Sequence, residues 1–225
     1  MGRFTLGKFL DPFVGFRLDS QFFDQSWVSD ANPGRTSIGF NPVKLTETAG
    51  VARQLAKGES LLVVSRLGLG IRQNISRYYV GDTTDRASLT TNDGGLDWTT
   101  DVMAGVLKKR VLYVGKLQVF APFFYSQKDK LTEFDRAAAG QVPGWTAVGD
   151  YWKTPDISFQ NAFTTSITKL VNVNLYAQFV YDKFDSGTNI GDATRPGDRD
   201  TVLHGVRRAG QFRENLGIGL SYKLF

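Results

Sequence analysis

The residues able to do chemistry fall into three groups. The only histidine, His204, stands near Arg207 and Arg208 in a polar stretch that also holds Ser186 and Asp200. A serine, a histidine and an aspartate are the parts of a hydrolase triad, in which imidazole takes the serine proton and the carboxylate fixes its tautomer. No motif surrounds the serine, so the pattern reads as an ordinary surface histidine and no catalytic residue is assigned. Asp185, Asp192, Asp198 and Asp200 are hard oxygen donors of the kind calcium takes. They lack the spacing of a calcium loop and alternate with Arg195 and Arg199, as in a solvated mixed-charge loop. No metal and no cofactor is expected. The third group is Arg17, Asp19, Arg66, Arg72, Asp101, Lys116 and Asp182, charges on the polar parity of strand-like segments or at their ends. A Lys or Arg facing hydrocarbon costs roughly 2–4 kcal/mol at mid-bilayer, so in a membrane-spanning wall these side chains line the lumen. Two outcomes follow: an internal salt-bridge network that plugs a narrow barrel, or a water-filled lumen with a basic lining that prefers anions.

The elements that position these charges alternate with period two. Gln211–Phe225 reads QFRENLGIGLSYKLF, with Phe212, Leu216, Ile218, Leu220, Tyr222 and Leu224 on one parity and Asn215, Gly217, Gly219, Ser221 and Lys223 on the other. It looks like the closing strand of a bacterial outer-membrane barrel, where Tyr222 and the terminal Phe225 would form the address read by the insertion machinery. Phe225 is out of phase with the apolar row. The same alternation predicts strands over Phe13–Trp27, Leu61–Tyr79, Leu96–Val106, Val111–Phe123, Ile157–Ile167 and Val171–Tyr181. Ser37 to about Leu55 reads as a strand with a bulge at Pro42.

The 225 residues carry 24 Gly, 17 Phe and 8 Tyr, a composition of strands and turns. No apolar run is long enough for a membrane-spanning helix, which says nothing about a barrel. Cysteine is absent, excluding disulfides and thiolate metal sites, and the net charge of +5 is spread among carboxylates, unlike the patch of a nucleic-acid binder. The first residues, MGRFTLGKFLDP, lack the apolar region of a secretion signal.

Short connections near Lys57–Ser60, Lys108–Arg110 and Lys169–Leu170 alternate with long ones near Val28–Thr36, Val80–Gly95, Ser126–Pro155 and Lys183–Gly210. Short turns on one edge and long loops on the other are what a transmembrane barrel requires. Trp27, Tyr78, Tyr79, Trp98, Tyr125, Tyr151, Trp152 and Tyr181 sit where strands meet long loops, the place of an aromatic girdle. The expected fold is all-β, an antiparallel transmembrane β-barrel with about eight strands in this chain.

Four stretches carry a family resemblance: FLDPFVGFRLDSQFF at Phe9–Phe23, FNPVKLTETAGVA at Phe40–Ala52, SRLGLGIRQNI at Ser65–Ile75, and the ending LGIGLSYKLF. The chain resembles the C-terminal portion of bacterial outer-membrane barrels grouped as domain of unknown function 3078. The resemblance implies strands upstream, about twelve in the whole wall, and no established activity. It implies the bacterial outer membrane as location, with outer-membrane lipid, lipopolysaccharide and the insertion machinery as partners and no nucleic acid. The expected role is a membrane scaffold or small-solute channel with a charged lumen. The competing readings are a rim-catalytic lipid esterase or protease and a soluble lipocalin-like barrel with its apolar row inward.

Overall fold

The computed structural model describes residues 2–3, 10–24, 34, 36–80, 83–168, 171–207 and 209–220. Its strands are β1 (Gly2–Arg3), β2 (Asp11–Ser20), β3 (Phe23–Asp24), β4 (Ile38–Gly39), β5 (Val43–Lys57), β6 (Leu61–Tyr79), β7 (Arg86–Val106), β8 (Val111–Tyr125), β9 (Asp156–Ser166), β10 (Val171–Tyr181) and β11 (Gln211–Leu220). Apart from the small β3–β4 ribbon they form one antiparallel sheet, each strand beside its neighbour in the chain. Eight of the sheet strands have ten or more residues; β1 is a two-residue addition to the edge of β2, facing Phe13 and Val14. The fold is therefore all-β, an eight-stranded antiparallel meander. The sheet is not closed: among the described residues, β11 pairs on one side only, with β10.

Alternation gives the sheet two unlike faces. Leu67, Leu69 and Ile71 of β6 and Leu216 and Ile218 of β11 stand out from the convex face, 46–74 % exposed. Gly68, Gly70, Asp97 and Thr99 lie buried on the concave face. The sheet curls far enough that Arg72 on β6 bonds Asp156 on β9, and Arg17 of β2 borders the same cavity as Asp182 beyond β10. Part of the curl needs glycine. Gly50 and Gly68 are register partners, and a Cβ on them would stand 2.2 Å from the Leu67 carbonyl oxygen and 2.5 Å from that of Ala49.

Four sequence expectations need correction. The first strand, expected over Phe13–Trp27, is Asp11–Ser20, and Phe23–Asp24 pairs instead with Ile38–Gly39 outside the main sheet. The second strand begins at Val43, after a cis Asn41–Pro42 peptide and a positive φ of 51° at Phe40, and its irregularity falls between Gln54 and Ala56 rather than at Pro42. Gly81–Gly95 is not all loop, because β7 starts at Arg86 and pairs residue by residue with the far half of β6. There both faces of β7 carry polar residues, so no hydrophobic period marks it.

The long loops after β8 and β10 are folded, too. The first contains helix α1 (Lys128–Gln141) and a 3-10 turn at Tyr151–Lys153, the second helix α2 (Pro196–His204). Leu131, Phe134 and Ala138 share one face of α1 at i, i+3, i+7. They meet Tyr125, Val148, Phe184, Ile190, Ala193 and Val202 in a continuous buried core, with Trp145, Tyr151, Trp152 and Val206 packed around it. Two loops that the sequence presents as separate thus make one cap over the β8–β10 end of the wall.

Candidate functional site

The concave wall is organised around Arg72. Its Nε donates to Asp93 Oδ1 at 2.8 Å, a second nitrogen to Asp93 Oδ2, and Nη1 to Asp156 Oδ2 at 2.6 Å, linking β6, β7 and β9. Its guanidinium lies 3.7 Å from the centroid of Phe120. Phe120 is buried because Gly70 and Gly95 leave a recess for its ring: Cβ atoms there would meet it at 3.1 and 2.7 Å. Carboxylate, guanidinium and ring form a layer across the wall beneath the cap.

Below this layer, Arg17, Arg66 and Lys116 border one cavity of about 240 Å³, with Thr46, Thr48 and Gln118. Arg66 pairs with Asp101, and Asp97 accepts hydrogen bonds from Thr99 Oγ1 at 3.0 Å and Gln118 Nε2 at 3.1 Å. Arg17 pairs with Asp19 at 2.7 Å, both exposed. Lys116 has no ion-pair partner among the described residues. Above the layer, Asp182 accepts from Arg207, and burial pushes its carboxyl above the usual range despite that partner.

The seven charges expected to face inward thus border two neighbouring cavities or pair with residues that do: Arg17 touches both, Arg66 and Lys116 the lower, Arg72 and Asp182 the upper. Alternation did not single out Asp93, Asp156 or Phe120. Asp93 sat in an expected loop, Asp156 opens its strand beside Pro155, and Phe120 lies on the polar parity of β8.

The expected aromatic girdle divides. Trp98 stands on the convex face, 43 % exposed, midway along β7 rather than at a loop edge, its indole donating to Ser65 Oγ at 3.0 Å. Tyr78 and Tyr181 are half-buried. Tyr79 is instead buried beneath Thr36, donating to its carbonyl at 2.9 Å. Tyr125 belongs to the cap core, donating to the Ser186 carbonyl at 3.1 Å, with Trp152 packed beside it. These three serve the loop end by packing rather than by facing outward. Trp27, Tyr222 and Phe225 lie outside the described residues. On the convex face Asn161 of β9 accepts from the Tyr113 hydroxyl at 2.8 Å.

The triad candidates are not assembled. His204 is exposed at the end of α2, and no hydrogen bond joins it to Ser186 or Asp200 among the described residues. The loop carboxylates are occupied by their own backbone: Asp185 accepts from Gly187 N–H at 3.0 Å and Asp198 from Asp192 N–H at 2.7 Å. Asp192 accepts the Thr194 N–H and hydroxyl, which hold its carboxyl below the usual range. Among the described residues no group of three metal-competent side chains gathers.

Comparison of the chain with protein families, with curated proteins and with solved structures finds no match.

Proposed function

We propose that this chain forms the wall of an antiparallel barrel in a bacterial outer membrane and acts there as a scaffold that carries a folded cap, its interior closed at the cap end by the Arg72 layer. One observation carries the membrane reading: the convex face exposes apolar rows, interrupted at Glu47 opposite Phe16 and Ile71, while the ion pairs of Arg66 and Arg72 gather on the concave face. That sidedness suits hydrocarbon outside and water or ion pairs inside, and it is the reverse of a soluble lipocalin-like barrel. The proposal includes the resemblance to the domain of unknown function 3078 family, with outer-membrane lipid, lipopolysaccharide and the insertion machinery as partners. Closure of the two open edges is part of the proposal. No turnover is assigned.

A second reading, a conduit for small anions, is favoured by one feature, the convergence of Arg17, Arg66 and Lys116 on one cavity. Conductance of the refolded chain in a planar bilayer tests both. The scaffold reading expects inserted but silent protein that becomes conductive when Arg72→Ala opens the layer. Steady anion-preferring openings in the unaltered protein, weakened by Lys116→Gln, make it a conduit instead. A chain that stays monodisperse without detergent or lipid would sink the membrane reading altogether.

A further inference from the structure

Between the two loops of the cap lies a cavity of about 520 Å³, bordered by Trp145 and Tyr151 from the first loop and by Lys183, Arg199, Asp200 and Leu203 from the second. Its size falls within the range of small-molecule sites, as does its make-up of an apolar and aromatic wall with a few charged groups. The wall is fixed beforehand. Trp145 is held by its indole N–H to Asp135 Oδ1 at 2.9 Å, Arg199 by Nη1 to the Ala193 carbonyl at 2.6 Å, and Lys183 by its ammonium 4.6 Å from the Tyr151 ring centroid. The charged groups keep unused capacity: among the described residues Lys183 and Asp200 have no ion pair, and Arg199 commits one N–H.

We infer that this cavity binds an acidic saccharide unit, its carboxylate or phosphate taken by Lys183 and Arg199, its apolar ring face by Trp145 and its hydroxyls by Asp200. Two fixed cations against one carboxylate disfavour a cationic ligand. Asp200, an acceptor beside them, has no use with a purely apolar anion but suits hydroxyl donors. The inference does not depend on the membrane reading, since the cap has its own core.

Calorimetry on the full folded chain, with near-UV circular dichroism as the check on folding, tests it. The probes are glucuronate, glucose 1-phosphate, neutral glucose and benzoate. Saturable binding of either acidic sugar is expected, with glucose weaker by roughly tenfold or more, the weight of one charge-assisted hydrogen bond. Lys183→Gln and Arg199→Gln should each weaken the acidic sugars by a similar factor, while Lys57→Gln at the exposed end of β5 leaves them unchanged. If Lys183→Gln fails to fold, Arg199→Gln alone decides. Deacylated lipopolysaccharide core binding more tightly than the monosaccharides would assign the unit to a lipid headgroup glycan; equal or weaker binding assigns it to a free saccharide. Equal affinity for glucose and glucuronate, benzoate binding alone, no binding by either acidic sugar, or acidic-sugar binding unchanged in the Gln variants would each overturn the inference.

Discussion

The wall and the cap solve the burial problem in opposite ways. In the cap, Leu131 and Val202 are fully buried and polar groups sit at the margin, as in a protein folded in water. In the wall, Ile71 and Ile218 stand in the open, while Asp93 and Asp97 are buried against partners. On the proposed membrane reading one chain carries two solvent preferences, divided where the strands give way to the long loops. The cap is stabilised by removing apolar area from water. The wall acquires a comparable term only if something apolar covers its convex face.

Perturbing each side separately sharpens the contrast. Phe134→Ala should cost about 3–5 kcal/mol, felt in the cap alone. Hydrogen exchange would then rise across α1 and α2 while β6 and β7 stay protected; loss of protection in both would mean cap and wall are one cooperative unit. Leu69→Lys, opposite Ala49 and Leu96 on the convex face, distinguishes the two solvents directly. It should cost roughly 2–4 kcal/mol in protein inserted in vesicles, read by urea titration. A change within about 0.5 kcal/mol, the usual result at a water-exposed site, would break the comparison.

Asp135→Asn comes next. This carboxylate accepts from the Trp145 indole and from the backbone N–H groups of Val148 and Gly149, so weakening it should cost the cap about 1–3 kcal/mol. Thermal melting followed by near-UV circular dichroism would register it. The smallest effect is a pH dependence at Asp182, whose carboxyl burial holds above its ordinary range. Between the ordinary and the raised value the folded state binds more protons than the unfolded one, so stability should fall as pH rises through that window. Asp182→Asn should flatten the slope in a melting series; an unchanged slope would place its origin elsewhere.

Much of the wall was legible. β6 and β10 span the residues that alternation alone predicts, because one row of each is mostly apolar. The start of β7 was hidden by polar residues on both faces, and with it Asp93. Parity placed Arg66, Arg72 and Lys116 on one face, yet nothing local tells that Gly70 and Gly95 open a recess for Phe120, since that needs the pairing of β6 with β7 and β7 with β8. The cap was hidden for a different reason. α1 has only three buried apolar side chains among charged neighbours, and the residues completing their core come from another loop.

That last arrangement sets an order in time. The hydrogen bond between Tyr125 and Ser186 spans 61 positions, and the buried core is shared between the two loops. The loops are brought together by the β9–β10 hairpin beside β8, so closing the cap must wait for those strands to align. Completion of the cap core thus depends on correct pairing of the wall. A wall mispaired anywhere between 111 and 181 leaves Leu131 and Phe134 in water, a mark of incomplete assembly open to any protease or chaperone that reads exposed apolar chain.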